Sequence, residues 1–536
     1  GKSCLLDALR DEDWQEYEST HGINIESVEV VDPQSKTVIT LNGWDFGGQR
    51  VYRPTHQLFF SAPAVYLVVW KPREGSQAGQ VKEWIKLVKH REPDAKILVV
   101  ATHGGPIDRQ PDIDQHEIRT QFGRETVLAF FHVDSRPPDY DEELETWVGE
   151  RTGIAQFRDE IAGVAMRLPE MGRTVPRKWQ QVREELAASS ESWMSYDEFV
   201  SFCTERGIDD GQVALFAKLS HTLGNLIHYD YDPVLRDVVI LKPDWLATAI
   251  SFVLDDGETR ENSGLVNFER LGELWNNPQR DPQDRYPASV HPAFVRLMER
   301  FDLSYEVQLP QQDAPRTILI SQLVPDARPE SLPDWDEQPT AVDIEQVQIC
   351  RIVDDRGQSA TAEGLFYQLI VRLHKYSLGR EDHHDSVHWQ RGLMLDNDYN
   401  GRALLEHIGN DVKITVRAAF PETFLAMLTG EVKWLVENFW EGLRCEVTVP
   451  CAEPCDKQPG TALFEVGKLI AFKKKGLAEY PCFVSGCDQL QNIEGLLRNA
   501  TTRFAPDAIQ FDQFEEIMEE MKAIRQDVMG LDRRGL

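Results

Sequence analysis

The sequence predicts an α/β domain with a mostly parallel sheet, followed by a larger α+β part. Two observations support this prediction. Short apolar, β-branched runs alternate with helical patterns up to residue 168, and beyond it strand-like runs share the chain with amphipathic helices. A chain of 536 residues also exceeds one ordinary hydrophobic core, so we expect three or four domains.

The amino-terminal region, residues 1–168, carries the alternation that predicts the parallel sheet. We expect a helix, then two strands joined by a turn, then three buried strands with a helix between the first two. In chain order the stretches are CLLDALR, VEVVDPQSKTVITLNGW, AVYLVVW, QVKEWIKLVKH, KILVVAT and AFFHVD. Strands that alternate with helices in this way form an open, mostly parallel sheet.

The middle region, residues 172–335, begins near TVPRKWQQVREELA and holds several short helices. Within it, LGNLIHYDYDPVLRDVVILKPDWLATAI predicts a helix, a two-stranded ribbon and a helix that opens at Pro243, as in a winged helix. The stretch at 325–340 is rich in proline and acid, which indicates a domain boundary.

The third region, residues 341–500, predicts a mixed α+β domain. Strands are expected in GLFYQLIVRLHKY, DVKITVRAAF and RCEVTVPC, and a helix in FLAMLTGEVKWLVENFWE. A final amphipathic helix is expected within residues 501–536, where apolar residues follow heptad spacing.

The composition argues against several classes of function. The 89 acidic and 57 basic residues give a net charge of −32, which opposes binding to nucleic acid or to an anionic membrane. We expect neither a signal peptide nor a transmembrane segment, because no apolar run is long enough to cross a bilayer. The eight cysteines indicate reduced thiols in the cytoplasm, or metal ligands where they cluster.

The first residues, GKSCLLDAL, match the end of a phosphate-binding loop and the helix after it. We expect the glycine, loop and strand before this ending to be missing, so that the sequence is a fragment. In such a site Gly1 and Lys2 contact the phosphates and the Ser3 hydroxyl holds Mg²⁺. Thr20, 17 residues beyond Ser3, is the expected switch hydroxyl over Mg²⁺, and Asp45 is the expected carboxylate at the end of the next strand.

The stretch WDFGGQRVYRPTH at 44–56 has two competing interpretations. As DFGGQ it is a GTPase phosphate sensor, in which the Gly48 backbone N–H meets the γ-phosphate and Gln49 orients the attacking water. As DFG it is the metal-binding triplet of a protein kinase, which follows a glycine-rich lid and an HRD loop. Only 44 residues precede Asp45 and they contain neither element, so the sequence favours a GTPase with Gly48 and Gln49 as catalytic residues.

Several longer stretches resemble one protein family. DFGGQRVYRPTHQLFF followed by AVYLVVW resembles the Roc (Ras of complex proteins) GTPase domain of the Roco family. LPEMGRTVPRKWQQV and LGNLIHYDYDPVLRDVVILKPDWLATAI resemble the first half of the COR domain (C-terminal of Roc), and GLFYQLIVRLHKY and NFWEGLRCEVTVPC its second half. The resemblance implies a Ras-like P-loop fold, a switch that binds GTP or GDP with Mg²⁺, a homodimer formed through COR, and further protein partners.

The expected base-binding motif departs from the family pattern. Guanine is normally read by Asn or Thr, Lys, any residue and Asp, whereas here Thr102 and His103 are followed by Gly105 in place of the Asp. Asp108 would substitute only if its loop bulges. Losing a buried charge-assisted pair costs ~2 kcal/mol or more, which weakens guanine selectivity. Ser135 in HVDSRPPD is the expected last residue of the guanine-binding loops.

Four cysteines near the end of the third region form two pairs, Cys451 with Cys455 and Cys482 with Cys487. With 26 residues between the pairs, their thiolates are able to close a tetrahedral structural Zn²⁺ site. The alternative is two reduced pairs within a domain core. The three histidines of EDHHDSVHW are expected in a solvated polar loop rather than at a metal.

Together these features predict the Roc-COR core of a GTP-binding switch that hydrolyses GTP slowly. The alternative, from a different class, is a scaffold: a Roc-like fold that has lost guanine selectivity and mediates assembly without turnover. Gly105 favours the scaffold, whereas the GTPase is favoured by the intact Lys2, Ser3, Thr20, Asp45 and Gln49.

Overall fold

The computed structural model describes residues 1–17, 23–47, 64–74, 78–92, 94–110, 112–142, 146–169, 171, 175–280, 285–310, 314–335, 343–354, 356–362, 364–397, 401–440, 442–451, 462–483, 487 and 490–498. Thr20, Gly48, Gln49, Cys455 and the expected helix within 501–536 therefore lie outside the described residues. The chain divides into a first compact unit, Gly1–Glu345 with Ile349–Val447, and a second, Gln346–Gln348 with Thr448–Leu536. Among the described helices, none combines the length and the apolar character needed to span a bilayer.

The amino-terminal region has the expected α/β alternation. Its elements are α1 (Lys2–Leu9), β1 (Ile23–Val31), β2 (Val38–Phe46), β3 (Val65–Trp70), α2 (Ala78–Arg91), β4 (Lys96–Ala101), α3 (Gln115–Phe122), β5 (Val127–His132), β6 (Asp139–Asp141), β7 (Thr146–Val148) and α4 (Ile154–Ala165). Strands β3, β4 and β5 form the predicted parallel sheet, with β4 in the centre. After Lys96, β4 is apolar because Leu98 and Val100 face α1 and α4, whereas Ile97 and Val99 face α2 and α3.

Strands β1 and β2 form an antiparallel hairpin that is packed along one face and, near Ile23 and Phe46, on the other face as well. On one face Val28, Val30 and Ile39 join the core that contains α1 and α4. On the other face Ile23 and Trp44 pack against the core of the middle region. Side chains alternate across a strand, so consecutive residues of this hairpin contact different domains.

The middle region contains α5 (Arg177–Ala187), β8 (Trp193–Ser195), α6 (Tyr196–Glu205), α7 (Asp210–Thr222), β9 (Val238–Ile240), α8 (Pro243–Asp255), α9 (Gly257–Glu261), β10 (Leu265–Asn267), α10 (Phe268–Trp275), α11 (His291–Arg300), β11 (Ser304–Val307) and β12 (Thr317–Ile320). Helix α8 begins at Pro243 as predicted, since proline at the first helical position removes an N–H that has no helical partner there. The expected ribbon is reduced to a single bridge between Ile227 and Ile240, and β9 pairs instead with β8.

The third region is mixed α+β, as predicted. In the first unit it contributes β13 (Ile344–Asp354), α12 (Leu365–Arg372), β14 (His388–Trp389), β15 (Gly392–Asn397), β16 (Gly401–Ile408), β17 (Asp411–Ala418), α13 (Glu422–Phe439) and β18 (Leu443–Pro450). These strands lie in the sheet order β14-β15-β16-β17-β13-β18. The second unit contains the end of β18, then β19 (Leu463–Glu465), α14 (Val466–Lys474), β20 (Glu479–Pro481), β21 (Leu490–Asn492) and α15 (Ile493–Arg498).

Two sequence-based predictions for the third region are wrong. GLFYQLIVRLHKY is not a strand but contains helix α12, which is buried on nearly all sides and therefore has the apolar composition of a buried strand. The stretch EDHHDSVHW is not a solvated loop throughout, although the His384 side chain is exposed. His383 is buried, its ring centroid lies 5.6 Å from that of His388, and burial lowers the pKa of His388 to about 4.

Candidate functional site

The three parallel strands end at one edge of their sheet. Trp70, Ala101 and His132 are the aligned last residues of β3, β4 and β5. The segments that follow these strands therefore emerge side by side, with Lys71 after β3 and Thr102 after β4. In open α/β sheets, ligands bind in the crevice beyond the carboxyl ends of the strands.

Ser3 and Asp45 are adjacent although 42 positions separate them in sequence. The Ser3 hydroxyl, at the start of α1, donates a hydrogen bond of 2.5 Å to an oxygen of the Asp45 carboxylate, near the end of β2. Gly43 allows this close approach of hairpin and helix, because a Cβ at that position would lie 2.6 Å from the Leu6 Cδ1 atom. A hydroxyl and a carboxylate are the hard oxygen donors that Mg²⁺ prefers, so the donor set fits the expected metal.

Positive charge gathers around the same helix start. Burial lowers the pKa of the Lys2 ammonium, Asp45 opposes this shift, and the nearby Lys71 adds to it. A Cβ at Gly1 would lie 3.8 Å from the Lys71 Cε atom, which places the Lys71 side chain against the start of the helix. Two lysines beside a helix amino terminus form a favourable environment for a phosphate group.

The expected base-reading loop follows β4. The buried Thr102 side chain donates a hydrogen bond of 3.2 Å to the Trp70 carbonyl, and its hydroxyl lies 3.0 Å from His103 Nδ1. His103 has a φ of 59°, and burial lowers the pKa of its imidazole, with the amino terminus and Lys71 adding to the shift. Thr102 is thus buried, whereas His103 lies at the surface near Asp134 and several positive groups.

Position 105, where guanine-binding loops carry an aspartate, has no space for a side chain. Gly105 has a φ of 81°, and a Cβ there would lie 2.7 Å from His132 Cγ. Asp108, the candidate substitute, is exposed in a turn after this loop. The packing of His132 against this loop therefore requires glycine at position 105 and leaves no room for an aspartate.

Sequence reasoning missed Asp134, whose carboxylate lies beside this loop. A Cβ at Gly104 would lie 3.8 Å from an Asp134 carboxylate oxygen, and Asp134 opposes the lowering of the His103 pKa. The signal was available, because Asp134 directly precedes the predicted Ser135 and follows β5. The Ser135 side chain is 6% exposed, and its hydroxyl has no hydrogen-bond partner within the described residues.

The structure thus gathers the described members of the predicted nucleotide site at one edge of the sheet. Gly1, Lys2, Ser3 and Asp45 form one group. Thr102, His103 and Ser135 belong to the loops after β4 and β5. Elsewhere, in the second unit, the predicted zinc ligands Cys451, Cys482 and Cys487 have sulfur atoms within 4.8 Å of one another.

Comparisons with known families match the chain in three consecutive parts. The family described as "Ras of Complex, Roc, domain of DAPkinase" matches residues 1–105. "C-terminal of Roc, COR-A domain" matches residues 176–324, and "C-terminal of Roc, COR-B domain" matches residues 357–499. The tandem order is the one that the sequence motifs predicted.

Curated relatives are distant in sequence and longer than this chain. The "Probable serine/threonine-protein kinase pats1" of Dictyostelium discoideum is 26% identical over 431 residues, which are 78% of this chain and 12% of that protein. A "Roc-COR-CHAT protease" of Runella zeae is 22% identical over 384 residues, 70% of this chain and 36% of that protein. A solved structure, "Structure of methanosarcina barkeri Roco2 RocCORdC bound to GDP", has a TM-score of 0.48 and 24% identity, covering 60% of this chain and 92% of that chain.

Proposed function

Because this chain belongs to the Roco family of Roc-COR proteins, we propose that it is a switch that binds GTP or GDP with Mg²⁺ and hydrolyses GTP slowly. The observation that carries this proposal is the hydrogen bond of 2.5 Å from the Ser3 hydroxyl to the Asp45 carboxylate. This bond brings together a hydroxyl and a carboxylate, the two kinds of side chain that hold one Mg²⁺ ion in a P-loop GTPase. Lys2 lies beside them with the charge needed for the β- and γ-phosphates.

The phosphates of the nucleotide would lie at the start of α1. Lys2 and the backbone N–H groups of the first turn would face them, and Lys71 would add a second positive charge from the end of β3. Ser3 and Asp45 would hold Mg²⁺, with Thr20 as the switch hydroxyl that the sequence predicts. When bound, Mg²⁺ neutralises charge on the phosphate oxygens.

Hydrolysis would depend on residues that the sequence assigns and the structure does not describe. The Gly48 N–H would contact the γ-phosphate, and Gln49 would orient the attacking water. In the sequence both follow Gly47, the residue after β2. Turnover would be slow if no further positive group reaches the leaving phosphate.

The base would lie against the loops after β4 and β5. Thr102 and His103 would form one side, and Ser135, whose hydroxyl is buried, would form the other. We assign the role of the base-reading carboxylate to Asp134, because it lies beside Gly104 while position 105 has no space for a side chain. A carboxylate there would accept from the guanine N1 and N2 groups.

The switch would act on COR through the β1–β2 hairpin. Asp45 belongs to the face of β2 that contacts α1, whereas Trp44 and Phe46 pack against the core of the middle region. The side chain of Asn42 in β2 also donates a hydrogen bond of 3.1 Å to Asn225. A shift of β2 with nucleotide state would therefore reach the middle region directly.

The homodimer, further protein partners and the cytoplasmic location expected from the sequence belong to the same proposal. The dimer would form through COR, and Phe420 and Trp434 of the third region, 69% and 47% exposed, are apolar groups that a partner would cover. Sedimentation of the protein at several concentrations tests the dimer, with a Phe420→Glu, Trp434→Glu double variant expected to shift it toward monomer.

A scaffold without turnover is the second candidate function. The observation in its favour is the absence of space for an aspartate at position 105, which removes the usual source of guanine selectivity. In that case the amino-terminal region would serve as a rigid module for assembly. Nucleotide, if bound, would not be hydrolysed.

A competition titration separates the two functions. A fluorescent GDP analogue is displaced by GTP, XTP or ATP with Mg²⁺ present, both for this chain and for a version that carries an added glycine-rich loop before Gly1. Tenfold or greater preference for GTP would mean that about 1.4 kcal/mol of base discrimination survives. Equal affinities for the three nucleotides would support the scaffold.

Turnover is then measured on the form that binds nucleotide, with Gln49→Leu as the test variant. A GTPase should lose turnover and keep nucleotide binding, because the glutamine acts on the attacking water rather than on the bound ligand. Gln15→Leu, in the described segment after α1, is the matched control and should leave turnover unchanged. Absence of turnover in the unsubstituted protein would leave only the scaffold.

A further inference from the structure

Three cysteines of the second unit meet in space although 36 positions separate the first from the last. Cys451 follows β18, Cys482 follows β20, and Cys487 lies five residues further along. Their sulfur atoms all lie within 4.8 Å of one another. Among the described residues, no other group of three or more His, Cys, Asp or Glu side chains has this geometry.

The distances suit a shared metal ion and not a disulfide. Cys451 Sγ and Cys487 Sγ are 3.9 Å apart, about twice the ~2.05 Å of an S–S bond. Four sulfur ligands at ~2.3 Å from a tetrahedral Zn²⁺ are ~3.8 Å apart along each edge. The observed separation of 3.9 Å is close to that edge and therefore leaves room for one zinc ion between the two sulfur atoms.

The backbone around the cluster is held by secondary structure. The Cys451 N–H donates a hydrogen bond of 3.0 Å to the Ala462 carbonyl, which continues the pairing of β18 with β19. β20 pairs with β21 from Glu479 to Pro481, the residue before Cys482. Cys482 is 2% exposed, whereas the other two thiols are half-buried, so the cluster lies at the edge of the core of this unit.

The second unit has few other sources of stability. Its described buried hydrophobic residues are Val449, Ala462, Phe464, Val466, Leu469, Cys482, Ile493, Leu496 and Leu497. A core of this size rarely stabilises a small unit alone, and small domains commonly add a structural metal. The cluster joins the end of one hairpin to the end of β18, two segments that are distant in sequence.

We propose that Cys451, Cys482 and Cys487 bind a structural Zn²⁺ ion as thiolates and that this ion stabilises the second unit. Soft sulfur donors select zinc over Mg²⁺ or Ca²⁺. The role is structural, because the cluster lies in the second unit while the catalytic groups proposed for nucleotide hydrolysis belong to the first. The sequence predicts Cys455 as a fourth thiolate, and the spectrum of a Co²⁺-substituted protein counts the thiolates independently of that prediction.

The first experiment is elemental analysis of the protein purified without chelators. We expect about one zinc ion per chain and its loss in Cys482→Ser and in Cys487→Ser. Cys203→Ser is the matched control, because Cys203 is fully buried in α6 and burial raises the pKa of its thiol to about 12, which disfavours a thiolate. The control should retain all of the zinc.

Substitution by Co²⁺ tests the geometry. A tetrahedral thiolate complex gives intense ligand-field and sulfur-to-metal charge-transfer bands, whose intensity reports how many sulfur atoms bind. We expect these bands in the unsubstituted protein and their loss in Cys482→Ser. Weak bands, as given by octahedral Co²⁺, would overturn the proposal. So would a protein that binds no zinc even when zinc is supplied.

A folding measurement separates a structural role from adventitious binding. Chelation of the zinc should expose the segment that follows Thr448 to limited proteolysis, while fragments from the amino-terminal region stay protected. If Cys482→Ser fails to fold, the chelated and reloaded unsubstituted protein still provides the test. Unchanged proteolysis after complete removal of the metal would overturn the structural role.

Discussion

Asp45 and Trp44 are consecutive residues of β2 that face opposite domains. The Asp45 carboxylate accepts a hydrogen bond from Ser3 at the start of α1, whereas the Trp44 ring packs against the hydrophobic core of the middle region. The Trp44 ring also stacks on Phe46, with ring centroids 6.1 Å apart. One peptide bond thus separates a proposed metal ligand from a contact between domains.

Trp44→Ala should weaken this connection without disturbing the nucleotide site. We expect a loss of about 2 kcal/mol in the free energy of unfolding, since a large, partly buried ring leaves a cavity. GDP affinity should stay within twofold, while nucleotide-dependent protection of α8 from hydrogen exchange should disappear. Val38→Ala is the control, because Val38 is on the same face of the same strand but 59% exposed.

Asp134→Asn should reduce the preference for GTP over XTP. If Asp134 accepts from guanine, the change removes a charge-assisted hydrogen bond and costs about 1.5–3 kcal/mol, roughly tenfold to a hundredfold in affinity. The competition titration provides the measurement. Asp108→Asn is the matched control from the exposed turn and should have no effect. If Asp108→Asn lowered the preference for GTP and Asp134→Asn did not, Asp108 would be the residue that binds the base.

Gly105→Asp should destabilise the protein instead of restoring guanine selectivity. The backbone at Gly105 is left-handed and a Cβ there would meet His132 at 2.7 Å, so we expect a cost of about 3 kcal/mol from strain and overpacking. Gly357→Asp is the control for the backbone contribution, because Gly357 has a φ of 74° and nothing lies within 4 Å of its Cβ position. Denaturant unfolding of both variants gives the difference. A gain in GTP preference for Gly105→Asp would contradict this account.

Acidification should destabilise the protein through His388. Burial lowers the pKa of the folded-state imidazole to about 4, whereas an unfolded histidine titrates near ~6.5. Between these values the unfolded chain binds the extra proton, so stability is full above pH ~6.5 and falls by ~3 kcal/mol as the pH drops to ~4. The measurement is the free energy of unfolding as a function of pH.

His388→Gln should flatten that pH dependence, because glutamine does not titrate. His384→Gln is the control for the same segment, since the His384 side chain is 69% exposed. An equal pH dependence in the unsubstituted protein and in His388→Gln would show that the destabilisation at low pH has another source.

Short apolar runs predicted the strands of the amino-terminal region, because strands that are buried on both faces of a sheet consist of apolar residues. The same pattern wrongly predicted a strand at helix α12, where Leu365, Phe366, Leu369 and Ile370 are all buried. A helix and a strand that are enclosed on every side share the same composition, so local pattern alone does not separate them. Only the packing around the segment decides.

By itself the sequence predicted which residues belong to the proposed phosphate site, since Lys2, Ser3 and Asp45 follow one another in the order that a P-loop GTPase fold gives to its motifs. The family order of Roc, COR-A and COR-B was likewise readable from local stretches. Tertiary structure decided what local pattern does not encode. The lack of space at Gly105, the position of Asp134 beside Gly104 and the contact of Trp44 with the middle region each depend on distances between segments that are remote in sequence.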